Sequence, residues 1–262
     1  MRALHTAATG MMAQELNVQV ISNNIANMRT TGYKRQRVEF QDLLYEHVSR
    51  VGSQTASNGN ILPVGIDLGG GVKTVGTPRL MTQGTLAQTG NNLDLAIRSD
   101  GFFKITLPDG TFAYTRDGSF QMDALGRVVT AQGNVVSPGI TIPQNSTGLT
   151  VNAQGQIAVT PQGSTTPTVL GQLTLTRFVN QAGLLATGDN MFTETPASGT
   201  PQDGLANVDG AGDIQQGNLE QANVEAVTEI SDLIAAQRAY EMNGKVITAA
   251  DQMLSATSNL MR

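Results

Sequence analysis

The sequence predicts an α+β fold, in which a central β-rich domain lies between two long helices at the ends of the chain. Three observations lead to this prediction. Apolar residues recur at every seventh position near both termini, the middle of the chain alternates with period two between turn dipeptides, and the 262 residues include 29 glycines but only 14% charged residues. Seven-residue columns are typical of helices that pack along a seam, and alternation between turns is typical of strands.

The N-terminal helix is expected over residues 1–28 and, with a stop at Gly32, makes up a first segment of residues 1–32. Only Arg2 and Glu15 are formally charged in this helix. A helix with one solvated face normally carries more charge, so we expect contacts on more than one side. The main apolar column is Leu4, Met11, Val18 and Ile25, and the companion column is Ala7, Ile21 and Met28.

An extended linker or arm is expected at residues 33–71. Its stretch VEFQDLLYEHV, at residues 38–48, is compatible with a short helix or with an extended arm. The residues that follow are rich in Gly, Ser and Asn, which indicates irregular structure.

The β-rich domain is expected over residues 72–221. Residues 148–159 predict a hairpin and residues 171–179 a strand, whereas residues 180–218 are expected to be rich in loops. Three turns are predicted at Asp109-Gly110, Asp117-Gly118 and Leu125-Gly126.

The C-terminal helix belongs to a last segment of residues 222–262. Gly244 is its weak interior point, because glycine costs about 1 kcal/mol relative to alanine inside a helix. Neither terminal helix has a partner nearby in the sequence, so we expect the two to pair as a coiled coil, or to pack on other subunits, in an assembled polymer. The apolar column is Ala226, Leu233, Tyr240, Ile247, Leu254 and Met261.

Composition argues against several classes of function. A net charge of −5 disfavours a nucleic-acid-binding protein, which would normally show a basic stripe. The absence of cysteine excludes disulfides, thiolate metal sites and a cysteine nucleophile. The sequence contains no run of 18 apolar residues, so a membrane span is not expected. Polar residues interrupt the N-terminal segment, so a cleaved secretory signal is not expected either.

The candidate chemical motifs are weak. His5 and His47 lie in different predicted elements, which disfavours a zinc site. The stretch DLGGGVKTVG lacks the spacing of a phosphate loop, and NVDGAGDIQQG lacks the carboxylates of a calcium loop. We therefore expect no catalytic residues, no metal ligands and no cofactor.

Both termini resemble the signatures of a known family, the bacterial flagellar rod and hook proteins. VISNNIANMRTTGYKR, at residues 20–35, is similar to the N-terminal signature, and LIAAQRAYEMNGKVITAADQML, at residues 233–254, is similar to the C-terminal one. The central stretches NLDLAIRSDGFFKI and YTRDGSFQMDALGRVV resemble the shared core. The resemblance covers essentially the whole chain and is closest to the members that build the distal part of the rod.

This resemblance implies a structural subunit of the flagellar basal body that polymerises into a rigid hollow shaft, transmits torque to the hook and has no enzymatic activity. The implied partners are further copies of the chain, proximal rod proteins, hook protein, peptidoglycan, outer-membrane ring proteins and the type III export apparatus. The implied location runs from the periplasm to the outer membrane, after export without signal cleavage. The alternative functions are another axial protein of the family, a low-copy adaptor, and a peptidoglycan hydrolase.

Three asparagines near the end of the first helix need an explanation, because asparagine competes with the helix backbone for hydrogen bonds. One hypothesis is that Asn23, Asn24 and Asn27 bond to neighbouring subunits and fix their register. The alternative is that they are exposed or cap the helix end near Thr30. With the large column residues Leu4, Met11, Val18, Ile21, Ile25, Leu233, Tyr240, Ile247, Leu254 and Met261, they are the predicted subunit-packing residues.

The segment of residues 46–71 carries a mechanical hypothesis. A hook must bend and a rod must not, so we expect this segment to pack between neighbouring β domains and to block their sliding. Its Gly, Ser and Asn content also allows a disordered loop.

Overall fold

The computed structural model describes residues 2–49, 64–163, 166–208 and 210–260. The chain divides into two compact units. The helical unit comprises Met1–Ile25, Gln36–Pro78 and Glu225–Arg262, and the β unit comprises Ala26–Arg35 and Arg79–Val224. The α+β class, with helices at both ends and a β-rich centre, is confirmed.

The helical unit is built on two helices, α1 (Arg2–Ala26) and α2 (Ala226–Leu260). They run antiparallel, because Asn24 of α1 lies against Glu229 of α2 while Gly10 lies against Asn243. Prolines are absent from both sequences, so the backbone hydrogen bonds of each helix continue without a break. Neither helix has the apolar run that a bilayer-spanning helix requires.

A β-hairpin completes the helical unit and will be called the arm. Its strands are β1 (Glu39–Asp42), β2 (Tyr45–Ser49), β3 (Ile66–Gly69) and β4 (Val72–Gly76). Strand β1 pairs with β4 and β2 pairs with β3, both antiparallel. Of the two conformations that the sequence allows for residues 38–48, the structure shows the extended one. Residues 50–63, which join β2 to β3, lie outside the described part of the chain.

The β unit consists of short strands and one 3₁₀ turn (Gln181–Gly183). The strands are β5 (Leu86–Gln88), β6 (Leu95–Arg98), β7 (Phe102–Thr106), β8 (Phe112–Thr115), β9 (Gln121–Met122), β10 (Val128–Val129), β11 (Val135–Val136), β12 (Ser146–Val151), β13 (Gln156–Pro161), β14 (Thr168–Gln172), β15 (Thr174–Arg177), β16 (Leu185–Gly188), β17 (Met191–Thr193), β18 (Gln202–Leu205), β19 (Asp213–Gln216) and β20 (Asn218–Glu220). The predicted hairpin at residues 148–159 is confirmed as β12 and β13, and the predicted strand at residues 171–179 is confirmed as β15.

The strands form one large sheet and several small ones. The large sheet has the order β16-β17-β8-β7-β11-β10-β9, with β15 also paired to β7 and β18 paired to β15. Strands β12, β13 and β14 form a three-stranded sheet. Strand β19 pairs with β6, and β20 pairs with β5. These last two ladders place the end of the β unit next to its beginning.

The β unit has an apolar core in two parts. In the larger part, Phe103 and Phe120 meet edge to face with ring centroids 5.1 Å apart. In the smaller part, Phe178 contacts Tyr114 in the same geometry at 4.8 Å. Edge-to-face contacts add to the burial energy of aromatic rings, so a chain with only 4% aromatic residues concentrates them where they fix the sheet.

The prediction of a loop-rich segment at residues 180–218 was wrong in part. Strands β16, β17, β18 and β19 lie within it, and β20 begins at its end. Strands of three or four residues give too few alternating positions to be recognised by period, and their pairing with distant strands holds them extended.

Candidate functional site

Several small residues of α1 and α2 are buried, and Gly10 of α1 lies against Asn243 of α2. Ala7 and Ala13 of α1 and Ala236 and Ala250 of α2 are each less than 10% exposed. A Cβ atom added to Gly10 would lie 2.8 Å from Nδ2 of Asn243, which is closer than van der Waals contact. Gly10 of α1 therefore lies close to the side chain of Asn243 of α2, and the larger residues Val20 and Ile21 of α1 are buried as well.

The predicted packing residues occupy three kinds of position. Of these residues, Ile21 and Asn24 are buried; Leu4, Met11, Val18, Ile25, Asn27, Leu233 and Ile247 are partly buried; and Asn23, Tyr240 and Leu254 are exposed. Met261 lies outside the described residues. The columns thus leave apolar surface uncovered within the single chain, and their role between subunits stays a prediction.

The structure also exposes apolar residues of α2 that the column analysis did not select. Val227 is 76% exposed, Met242 60% and Met253 64%. None of them lies on the seven-residue column, so only their solvent exposure identifies them as candidate contact residues.

Asn24 holds the end of α1 to the chain that follows it. Its Oδ1 accepts a hydrogen bond from the backbone N–H of Gln36 at 3.0 Å, and its Nδ2 donates to the Gln36 carbonyl at 2.8 Å. Nδ2 also donates to Oε2 of Glu229, in the first turn of α2, at 3.2 Å. The carboxamide therefore joins three segments of the helical unit, which explains one helix-disfavouring residue near the end of α1.

A buried group of charges lies in the β unit, close in sequence to the points where the chain leaves it. Nζ of Lys34 is 2.5 Å from Oε1 of Glu220, and Nη1 of Arg116 is 3.3 Å from Oε2 of the same carboxylate. The three side chains are at most 2% exposed. We call Lys34, Arg116, Glu220 and the nearby Asn223 the junction cluster.

Backbone groups supply further hydrogen bonds to the junction cluster, and among its polar atoms Nε of Arg116 is buried without a partner. Lys34 donates to the carbonyl of Thr82 at 2.9 Å, and Glu220 accepts from the N–H of Gly84 at 2.9 Å. Arg116 donates to the carbonyl of Ser99 at 2.7 Å. A buried charge is tolerated only when it is paired and hydrogen-bonded, and these contacts meet that condition for Lys34 and Glu220.

Asn223 joins the last part of the β unit to its first parts. Its Oδ1 accepts from the N–H of Arg35 at 2.7 Å, and its Nδ2 donates to the carbonyls of Leu80 and Thr82 at 2.8 and 3.0 Å. The chain passes between the units after residues 25, 35, 78 and 224. The junction cluster therefore fixes the chain ends at three of these four passages.

Gly32 is required beside the junction cluster. It has a φ of +69°, and a Cβ there would lie 2.8 Å from the carbonyl carbon of Arg116. Its N–H donates to the carbonyl of Glu220 at 2.8 Å. The predicted stop at Gly32 is thus also a close backbone approach, which only glycine permits.

Burial changes the proton affinity of the cluster. Desolvation is the largest influence and lowers the pKa of Lys34; the carboxylate of Glu220 raises it in part, and the charge of Arg116 adds to the lowering. Desolvation also lowers the pKa of Arg116, against the opposing effect of Glu220. The carboxylate of Glu220 is thus the counter-charge of both buried cations. Its removal should therefore destabilise the cluster more than the removal of either cation.

Sequence analysis did not select the junction cluster, because Lys34 and Glu220 are 186 positions apart. The available signals were the positions of Lys34 inside the N-terminal signature stretch and of Arg116 inside the central stretch YTRDGSFQMDALGRVV. Within residues 2–49, 64–163, 166–208 and 210–260, no group of three or more His, Cys, Asp or Glu side chains could hold a metal ion.

Three protein-family models match the chain. The model described as "Flagella basal body rod protein" matches residues 4–34, "Flagellar hook protein FlgE/F/G D1 domain" matches residues 96–159, and "Flagellar basal body rod FlgEFG protein C-terminal" matches residues 215–260. The first and third cover most of α1 and α2, and the second lies within the β unit.

Curated relatives match over their full length. The chain is 54% identical to flagellar basal-body rod protein FlgG of Caulobacter vibrioides, over 99% of both chains. It is 48% identical to the protein of the same name from Agrobacterium fabrum, over 100% of both chains. It is 34% identical to the one from Bacillus subtilis, again over 100% of both chains.

Proposed function

The chain belongs to the family of flagellar basal-body rod proteins, and from this we propose that it is a structural subunit that polymerises into the distal rod. The observation that carries the proposal is the likeness to rod proteins over the full length of both chains, at up to 54% identity. Such a subunit acts by shape and contact, as part of a hollow shaft that transmits torque to the hook.

The helical unit supplies the polymer contacts. Its apolar columns are only partly buried in the single chain, so they can bury more surface against further copies. Full burial of one large apolar side chain is worth about 1.5–3 kcal/mol, and several such residues repeat along each helix. We propose that α1 and α2 pack in the assembled wall as coiled coils, with Leu233 and Ile247 among the contact residues.

The junction cluster supplies rigidity to the chain ends of the β unit. A shaft under torque loads the covalent connections of every subunit. Lys34 lies next to the passage after residue 35 and is buried, and Asn223 lies next to the passage after residue 224, is partly buried, and bonds to the backbone of Arg35 and Leu80. We propose that the cluster holds these chain ends of the β unit in place under load.

The remaining partners follow from membership of the flagellar axis. We propose contacts with proximal rod proteins at one end and hook protein at the other, and with peptidoglycan and the outer-membrane rings around the shaft. Export through the type III apparatus, without signal cleavage, would bring the subunit to this location in the periplasm. A muramidase assay that detects hydrolysis would contradict the non-enzymatic role.

The arm is the proposed stiffening element. Its described strands expose apolar side chains, among them Tyr45 at 51% and Ile66 at 55%, which could pack between β units. Residues 50–63 of the proposed segment 46–71 lie outside the described residues. Deleting the segment should give a more flexible tube in electron micrographs, and a tube of unchanged stiffness would refute this role.

Basal bodies from a strain lacking the gene test the main proposal. Electron microscopy should show rods that stop short of the outer membrane, and expression of the intact chain should restore full-length rods. Complete rods in the deletion strain would contradict the assignment. Counting subunits per basal body separates a polymer, with many copies, from a low-copy adaptor.

A further inference from the structure

An asparagine is followed directly by a glycine at the midpoint of α2, at Asn243 and Gly244. The sequence has one other such pair, Asn58 and Gly59, which lies outside the described residues. Asparagine is one of the thermally labile residues, and a following glycine leaves its side-chain amide open to attack by the backbone, because glycine has no Cβ to hinder the approach. The pair in α2 is therefore a position at which the chain can modify itself.

The reaction is an intramolecular deamidation. The backbone nitrogen of Gly244 attacks Cγ of Asn243, so that a new N–Cγ bond closes a five-membered succinimide ring. The bond between Cγ and Nδ2 breaks, and Nδ2 leaves as ammonia with the proton of the attacking amide. Water then opens the ring at either carbonyl, which leaves aspartate or isoaspartate at position 243.

The α-helix opposes this ring closure. Inside a helix the N–H of each residue donates to the carbonyl four positions earlier, and ψ is held at about −42°. The ring forms only if the amide of Gly244 gives up its helical hydrogen bond and Asn243 leaves the helical ψ. Because α2 is continuous over Ala226–Leu260, the reaction requires a molecule in which the helix has opened locally at its midpoint.

No hydrogen bond to a described residue holds the carboxamide of Asn243. It is partly buried beside Gly10 of α1, and around Gly244 the space at the Cβ position is empty within 4 Å. Asn24 differs in both respects, since its carboxamide bonds to Gln36 and Glu229 and the next residue is branched. The helical backbone is therefore the main protection of Asn243.

We propose that Asn243–Gly244 is a deamidation site controlled by the order of α2, so that chains with an open α2 are modified and chains in the polymer are protected. The second half of this statement rests on the proposed function, in which assembly completes the helices. Isoaspartate adds one atom to the main chain and interrupts the hydrogen-bond pattern of α2 at its midpoint. A subunit that stays unassembled is thus lost irreversibly from the pool that polymerises.

Site-resolved mass spectrometry of the purified full chain tests the protection. Three samples are incubated at one pH and temperature: the chain unfolded in guanidinium chloride, the isolated chain in buffer, and the polymer. Deamidation at Asn243 should be fastest in the unfolded chain, where Asn58 gives a reference rate, and at least about tenfold slower in the polymer. Equal rates in the unfolded chain and the polymer, or a stable Asn243 in the unfolded chain, would overturn the inference.

Two substitutions separate the chemistry from the helix. Gly244→Ala adds a methyl group beside the attacking nitrogen, so the rate in the unfolded chain should fall at least about tenfold. Ala235→Gly, at an exposed position of α2, leaves the reactive pair intact but weakens the helix. It should leave the unfolded rate unchanged and raise the rate in the isolated chain about fivefold.

Trifluoroethanol provides the opposite change, because it increases helix content. It should slow deamidation at Asn243 in the isolated chain as the helix signal in circular dichroism rises. If neither trifluoroethanol nor Ala235→Gly altered the rate in the isolated chain, control by the helix would be refuted.

Aged subunits give the functional readout. After incubation of the isolated chain and sedimentation of polymers, molecules modified at Asn243 should remain in the supernatant, whereas the Gly244→Ala chain of equal age should polymerise fully. Equal modification in pellet and supernatant would refute the loss from assembly. Failure of the fresh wild-type chain to polymerise would instead refute the proposed function, and the rates in the unfolded and isolated chains would still decide whether the helix protects Asn243.

Discussion

At the scale of the residue, the main feature of this protein is a carboxylate shared by two buried cations. Glu220 is fully buried and contacts both Lys34 and Arg116. Replacing buried ion pairs by apolar residues is often neutral, whereas removing one partner leaves an uncompensated charge and costs about 3–5 kcal/mol. The cluster is therefore better explained by the need to fix one arrangement of chain ends than by added stability.

The unequal roles of the cluster residues can be measured. Glu220→Gln leaves two buried cations without a counter-charge and should lower the unfolding free energy of the chain by about 3–5 kcal/mol. Lys34→Met leaves the Arg116–Glu220 pair in place and should cost about half as much. Urea unfolding followed by circular dichroism gives both values.

A surface ion pair provides the control for this measurement. Arg98 pairs with Asp213 at 2.8 Å, but its side chain is 62% exposed. Arg98→Gln should cost less than about 1 kcal/mol. Equal losses for Glu220→Gln and Arg98→Gln would show that the junction cluster is not electrostatically special.

Tyr114 should make the β unit sensitive to alkali. Its side chain is buried, and desolvation, with the charges of Glu194 and Asp203, raises its pKa from 10.0 to about 12. The unfolded chain therefore loses this proton first as the pH rises, so stability present below pH 10 is lost between about pH 10 and 12. The Tyr114→Phe variant lacks this titration. Over the same pH range its unfolding free energy should therefore fall by about 2 kcal/mol less than that of the wild type. If the unfolding free energies of wild type and variant fell in parallel with pH, a raised pKa of Tyr114 would be contradicted.

At the scale of the element, α1 and α2 combine two kinds of surface. Gly10 of α1 faces Asn243 of α2, whereas Tyr240 and Leu254 of α2 remain exposed. This division lets the helices pair in one chain and still present apolar columns to other copies. A helix with a single apolar stripe could serve only one of these purposes.

Paired substitutions can test the contact between Gly10 of α1 and Asn243 of α2. Gly10→Val places methyl groups against Asn243, and overpacking of this kind should cost about 1–3 kcal/mol of helix-pair stability. Adding Asn243→Ala frees the space and should recover most of that loss, as measured by hydrogen exchange of α1 and α2 amides. Gly244→Ala is the comparison: nothing lies within 4 Å of its Cβ position, so it should instead stabilise α2 by about 1 kcal/mol. A loss for Gly244→Ala similar to that for Gly10→Val would refute the contact geometry.

At the scale of the whole molecule, the two units play different roles. The β unit has its own apolar core and its own buried charges, so we expect it to be stable without a neighbour. The helical unit leaves much of its apolar surface uncovered, including Tyr240 and Leu254, which are 46% and 44% exposed. Its full order should therefore depend on assembly.

Circular dichroism of the isolated chain and of polymers tests this dependence. The isolated chain should show less helix than the 25 residues of α1 and the 35 of α2 would give, with the difference recovered on polymerisation. Helix content that is already complete in the isolated chain would contradict the expectation. The β signal should be the same in both states.

Much of the fold was predictable from the sequence, because it depends on local periodicity. The seven-residue columns predicted both terminal helices, and the dipeptide turns and alternating residues predicted the strands around Gly110 and the hairpin at residues 148–159. Strands β16 to β19 were missed because three or four residues carry no clear period. Membership of a polymerising family was likewise indicated by two long local signatures.

The sequence by itself determined which segments are helical, which are extended and where apolar residues accumulate, since each of these depends on neighbours a few positions away. Only the tertiary structure decided that Glu220 meets Lys34, that Asn24 bonds to Gln36 and Glu229, and that Gly10 meets Asn243. Most of these contacts join residues that are far apart in the chain, and a buried polar group selects its partner by geometry and desolvation rather than by spacing. The helix pair and the junction cluster therefore could not be predicted before the chain was folded.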